Sequence, residues 1–173
     1  MRYLKYVTFV VVALLSFAIG SAQEATGIRF FKGSFAEAQA EAQRQGKPLF
    51  VDFYATWCVP CKKMEKTIFT QPEVGAFFNA KFINLQLDAE APENVEIAKK
   101  YKIEAFPTLG IIASDGKAIQ INVGFMKADE LLEMAKTAVG EVKGFDDLYK
   151  EYRAQPNDLK IQQELLTMAP RFL

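Results

Sequence analysis

The sequence predicts an α/β fold: a central mixed β-sheet flanked by helices. Three observations carry that reading. Short apolar runs of strand length alternate with stretches of helical period. The alternation ends on Ser114-Asp115-Gly116-Lys117, a turn of hairpin type between two apolar runs. Ahead of that hairpin the connections are long enough to be crossovers, so crossovers come first and one antiparallel hairpin last.

Taken in order, Ser34-Phe35-Ala36-Glu37 fits a capping box, with Ser34 as N-cap and Glu37 reaching back. Ala-rich sequence runs to Gln45, and Gly46 and Pro48 end the helix. Leu49 to Tyr54 is a buried strand. After Trp57-Cys58-Val59-Pro60-Cys61-Lys62, residues Cys61, Met64 and Ile68 fall near one face of a helix. Gln71-Pro72-Glu73 breaks it, and a short helix around Val74 to Phe78 follows. Phe82 to Leu87 is the second strand. Pro92 to Tyr101 reads as a helix with Val95 and Ala98 inward. Thr108 to Ala113 and Ala118 to Val123 form the hairpin, and Gly124 interrupts it. Ala128 to Val139 is amphipathic, with Leu131, Leu132 and Ala135 inward. Two further segments, Phe145 to Ala154 and Asp158 to Met168, flank Gln155-Pro156-Asn157 and make an extra helical C-terminal tail. Phe145, Leu148, Tyr149 and Tyr152 form a stripe on it. That stripe fits a helix packed on the domain, and it equally fits a helical hairpin that meets a partner.

The chain has 173 residues, 21 basic and 21 acidic, with no His and 15 Phe. That suits one domain with modest extensions. No basic stripe or acidic tail is present, so nucleic-acid binding is set aside. Arg2 and Lys5 precede an apolar run from Val7 to Ile19, and Gly20-Ser21-Ala22 supplies small residues. This reads as a signal peptide over residues 1–22 cleaved after Ala22. The run is shorter than the about 20 residues of a spanning helix. The expected address is periplasmic or secreted, where disulfides persist. The expected divisions are residues 1–22, a domain over 23–140 and the extension over 141–173.

Cys58 and Cys61 are the only cysteines. Three apart, they close too small a loop to staple a domain, so the pair reads as chemical. A thiolate, not a thiol, attacks a disulfide, and a free thiol ionises at about 8.5. Cys58 at a helix N-terminus meets unpaired N–H groups and the positive end of the dipole. Cys61, one turn on, is expected to be the more buried and to attack only after a mixed disulfide forms at Cys58. A structural zinc needs four ligands, and this chain offers neither His nor further Cys. A metal shared between two copies and a pair of inert buried cysteines are the remaining readings. Asp52 interrupts an apolar strand and shares a face with Phe50 and Tyr54, so it is expected to be buried. Burial raises its pKa and suits it to take the Cys61 proton.

The segment Val51-Asp52-Phe53-Tyr54-Ala55-Thr56-Trp57-Cys58-Val59-Pro60-Cys61-Lys62 resembles the active-site strand and helix start of the thioredoxin superfamily. Phe106-Pro107-Thr108 resembles its cis-proline loop, and Val123-Gly124 its late glycine. Lys63-Met64-Glu65-Lys66-Thr67-Ile68-Phe69 with Pro72-Glu73-Val74 is similar to secreted members and to the C-terminal domain of the thiol:disulfide interchange proteins DsbD, periplasmic reductant relays. The resemblance implies a thioredoxin fold. It makes Cys58 the attacking and Cys61 the resolving cysteine, which together form the redox disulfide. It places Trp57, Phe106, Pro107 and Thr108 at the substrate, with the Phe106 backbone as a docking group. Three positions depart from the family. Asn84 stands where a Lys near Asp52 is common, Val59 replaces a frequent Gly, and Thr56 replaces a frequent acid.

The function expected is a thiol–disulfide oxidoreductase working outside the cytoplasm, more as reductant than oxidant, with no bound cofactor and no metal. Its partners are protein disulfide substrates and a membrane or envelope redox protein. A disulfide-forming oxidant or isomerase, and a non-enzymatic binding module of the same fold, are the alternatives.

Overall fold

The structure, a computed structural model, describes residues 27–168. The expected signal peptide lies outside the described residues. The elements are α1 (Phe35–Gln45), β1 (Leu49–Tyr54), α2 (Val59–Thr67), α3 (Pro72–Lys81), β2 (Ile83–Asp88), α4 (Val95–Lys100), β3 (Thr108–Ile112), β4 (Ala118–Val123), α5 (Ala128–Ala138), α6 (Phe145–Ala154) and α7 (Leu159–Met168). The sheet order is β2-β1-β3-β4. β1 runs parallel to β2 and antiparallel to β3, and β3 and β4 form the closing hairpin. This is the mixed sheet of a thioredoxin fold, with crossovers first and a hairpin last.

Local chemistry sets most boundaries. The Glu37 N–H donates to Ser34 Oγ at 3.3 Å and the Ser34 N–H to Glu37 Oε2 at 2.8 Å, which closes the capping box. Gly46 ends α1 at φ 63°, in the left-handed region that favours glycine. Pro72 starts α3 rather than merely breaking α2. A first helical position needs no N–H donor, so α3 is longer than the sequence indicates. Phe82 still donates to Phe78 O at 2.9 Å as the cap of α3, so β2 begins one residue later, at Ile83. α4 is shorter than expected. The Asn94 side chain donates to Asp88 O at 2.9 Å and holds residues 91–94 in turns. In the hairpin turn Asp115 Oδ1 accepts from the Lys117 N–H at 3.0 Å, and Gly116 has φ 85°.

Two apolar layers sandwich the sheet. On one side Phe35, Ala38 and Ala42 of α1 and Ala98 of α4 cover Val51, Phe53, Leu85 and Leu87. On the other, Met64, Phe78 and Leu131 of α2, α3 and α5 cover Phe50, Leu109 and Ile111. Strand alternation explains the division, since successive side chains of β1 point to opposite faces. Within α5 the buried residues are Leu131, Met134 and Ala135, while Leu132 is half-buried. α6 and α7 pack on each other, with Leu148 buried and Phe145 stacked on Tyr149 at 6.0 Å. Tyr149 of the expected stripe stays exposed.

Gly75 of α3 faces the Gly27 backbone, and a Cβ there would strike the Gly27 carbonyl. Gly→Ala inside a helix ordinarily gains about 1 kcal/mol. Gly75→Ala is expected to do the reverse, lowering the urea midpoint of unfolding, because neither backbone can yield without unseating residues 27–30 from α3.

Candidate active site

β1 delivers the site. It ends at Tyr54, the Cys58 N–H turns back onto Ala55 O at 3.0 Å, and α2 begins at Val59 with Pro60 in its first turn. Cys58 is the N-cap, and its Sγ accepts the Cys61 N–H at 3.2 Å. That donor is placed to meet a thiolate at the same position. The two sulfurs are joined in a disulfide, with Cα atoms 5.3 Å apart.

Burial of the pair differs from expectation. Cys58 is 1% exposed and Cys61 5%, so Cys61, expected to be the more buried, is not. Tyr54, Ala55 and Phe106 pack around the disulfide. Cys61, with Tyr54 and Ala55, also lines a cavity.

That cavity, of about 110 Å³, is lined by Asp52, Tyr54, Cys61, Glu65 and Gln86 among others. Its volume holds more than one water. Asp52 is 2% exposed. Its Oδ2 accepts from Gln86 Nε2 at 3.2 Å, and its Oδ1 has no partner among the described residues. Burial pushes the Asp52 carboxyl up to about 7. The Gln86 hydrogen bond offsets this only in part, and the Glu65 carboxylate adds to it. Burial also raises the neighbouring Tyr54 phenol, helped by Asp88, Asp52 and Glu65.

Asn84 does not meet Asp52. It pairs in register with Phe50, and its Nδ2 donates to Arg29 O and Asn79 Oδ1 at 3.3 and 3.2 Å. The residue opposite Asp52 is Gln86, so a neutral amide takes the place that an ion pair would have filled.

The proline loop stands over the disulfide. The Phe106–Pro107 bond is cis, and Gly124 N–H donates to Pro107 O at 2.8 Å. Among the described residues neither the Phe106 N–H nor its C=O has a hydrogen-bond partner. Thr108 is buried, and its hydroxyl donates to Ala105 O at 2.7 Å, so its side chain braces the loop. Trp57 is 64% exposed. Its indole N–H donates to Glu90 Oε2 at 2.8 Å, and its ring meets Phe106 edge-on at 5.9 Å.

Three participants escaped the sequence. Glu65 lies one helical turn beyond Cys61, an i, i+4 relation that puts both on one stripe. Gln86 needed the β1–β2 register. Glu90 carries no sequence signal, since only the loop after β2 brings it to Trp57.

The raised Asp52 carboxyl makes stability depend on pH. Its folded pKa lies above the unfolded one, so only the unfolded chain ionises in the interval, and stability falls from about pH 4 to about pH 7. Asp52→Asn is expected to stabilise the fold at pH 8 by roughly 2–4 kcal/mol and to give no gain at pH 3, read from urea unfolding at each pH.

This arrangement is shared with known proteins. A thioredoxin-like domain family model matches residues 35–138. The thiol:disulfide interchange protein DsbD of Neisseria meningitidis is 36% identical over 88 residues, which cover 50% of this chain and 15% of DsbD. The match thus spans a small part of that relative. A candidate disulphide isomerase from Bacteroides thetaiotaomicron superposes with TM-score 0.61 at 44% identity, over 69% of this chain and 98% of its own. The oxidised C-terminal domain of Neisseria meningitidis DsbD superposes with TM-score 0.52 at 30% identity, over 60% of this chain and 90% of that domain. With its Cys58–Cys61 pair at the start of α2, the chain belongs to the thioredoxin-like domain family and is a thioredoxin-like disulfide oxidoreductase.

Proposed function

We propose that this protein reduces protein disulfides outside the cytoplasm and is recharged by a membrane or envelope reductant. In its reduced form the Cys58 thiolate attacks one sulfur of a substrate disulfide. A mixed disulfide forms and the other substrate sulfur leaves as a thiolate. Cys61 loses its proton to Asp52 and attacks Cys58 Sγ. The substrate leaves as a dithiol, and the Cys58–Cys61 disulfide remains. Two electrons pass from this pair to the substrate. Trp57 and the backbone of Phe106 hold the substrate segment, and Pro107 and Thr108 shape the loop that presents it.

The observation that carries this reading is the cavity shared by Cys61 and Asp52, with a carboxyl that titrates near neutrality and one oxygen without a partner. A base poised near the working pH is what thiol deprotonation needs. The reductive direction rests on the likeness to DsbD, and the extracytoplasmic address on residues 1–22. The 44% identity to a candidate disulphide isomerase favours a second reading, in which the same mixed disulfide reshuffles a misfolded substrate.

Equilibration with glutathione buffers separates the directions. A potential near the about −270 mV of a reductant supports this reading, and one near about −120 mV overturns it. Cys61→Ala, expressed in its native envelope, is expected to retain substrates on Cys58, released by dithiothreitol, while the Cys58→Ala, Cys61→Ala double variant retains none. Asp52→Asn is expected to slow resolution of a preformed mixed disulfide about a hundredfold. It should also abolish the rise in that rate as pH passes about 7. Phe106 packs against the cluster that holds both cysteines, so in Phe106→Ala the oxidised protein is expected to react several-fold faster with dithiothreitol in stopped flow.

A further inference from the structure

A cavity of about 370 Å³ lies where β1 and β2 begin, at the end of these strands away from the disulfide. That volume is within the range of small-molecule sites. Phe30, Phe31 and Phe82 give it aromatic walls, and Arg29 and Lys47 bring two positive charges. Among the described residues neither cation is in an ion pair. A cation beside a helix C-terminus is favoured by the dipole, and Lys47 follows the end of α1, so charge alone does not make this a site.

The second observation is an acceptor without a donor. Asn84 lines the same cavity and is 3% exposed. A chain of amides fixes which way its side chain faces. The Arg29 N–H donates to Asn79 Oδ1 at 2.8 Å, and Asn79 Nδ2 donates to Gly27 O at 3.0 Å. Asn84 Nδ2 then meets two acceptors, Asn79 Oδ1 at 3.2 Å and Arg29 O at 3.3 Å. A half-turn of the Asn84 amide would set its oxygen against both of them. Asn84 Oδ1 is therefore turned away from this network, and it has no partner among the described residues. A buried acceptor left unpaired costs stability until a donor meets it.

Water can supply a donor, but it makes no use of the two cations or the three rings. A molecule that meets all of them has an anionic group for Arg29 and Lys47, a donor for Asn84 and an apolar body for the aromatic walls. We propose that this cavity is a second binding site, for a small organic anion that carries an N–H or O–H donor close to its charge and an apolar body. It shares no lining residue with the cavity of Asp52 and Cys61, and it stands apart from the oxidoreductase reading.

N-acetyl-L-phenylalanine has all three features and serves as the probe. It is titrated to millimolar concentration into the oxidised full chain, and amide shifts of Lys47, Ile83 and Asn84 are followed by NMR, with Cys58 and Phe106 as remote reporters. Saturable shifts are expected at the first three and none at the last two. N-acetyl-L-phenylalaninamide, which lacks the charge, is expected to bind about tenfold more weakly. 3-Phenylpropionate, which keeps the charge and ring but lacks the N–H, is expected to bind several-fold more weakly. The double variant Arg29→Gln, Lys47→Gln is expected to lose the preference for the acid over its amide, with thermal unfolding as the check on folding. Absence of saturable shifts at Lys47, Ile83 and Asn84 overturns the proposal. Equal affinity for the acid and its amide does so too, as does a preference undiminished in the double variant. Equal binding of 3-phenylpropionate removes Asn84 from the site and overturns it likewise.

Discussion

The site depends on one constraint, a carboxyl group held inside an apolar sheet. β1 sits between β2 and β3, so a side chain on either of its faces lies under a helical layer. Asp52 points to the side covered by α2. Ionising it there means losing water and gaining a single amide hydrogen bond, from Gln86. Among the described residues no cation pairs with it, and Glu65 lies nearby. The acid is therefore near its balance point at neutral pH, and it lines a small cavity together with Cys61. An apolar residue at this position would pack better and serve no chemistry.

The sulfurs are positioned by the same strand and helix. β1 brings the chain to the edge of the sheet, and α2 starts there, its axis anchored by Met64 and Ile68 in the core. Cys58 thus sits at an N-cap and Cys61 one turn further along α2, on the cavity that Asp52 also lines. Opposite them, the hairpin and the loop before it bring up Pro107 and Phe106. The side chains packed against the cysteine cluster are Phe106 and the half-buried Tyr54, both from segments outside α2.

Around this centre the two walls differ in character. Towards Asp52 the lining holds Glu65 and Lys62 as well. Towards Phe106, Trp57 meets the ring edge-on and is pinned by Glu90.

Much of this was legible in the residues themselves. The period-2 and period-3.6 patterns placed the sheet elements, the capping box located α1 to the residue, and burial of Asp52 followed from its face within Leu49 to Tyr54. The redox pair was legible because nothing else in the chain carries sulfur at ligand spacing. Boundaries at prolines and caps were less so. Pro72 can end one helix or begin another, and only packing of α3 against Gly27 and the core decides which. The partners of the site were not legible at all. Gln86 rather than Asn84 faces Asp52 because the parallel register of β1 and β2 is a property of the folded sheet. Likewise Glu90 reaches Trp57 only because the loop after β2 meets the start of α2. Spacing along one strand or helix is set by local geometry and can be read directly. Which side chain lies across from another is set by how the layers dock, and that is decided only when the whole core packs.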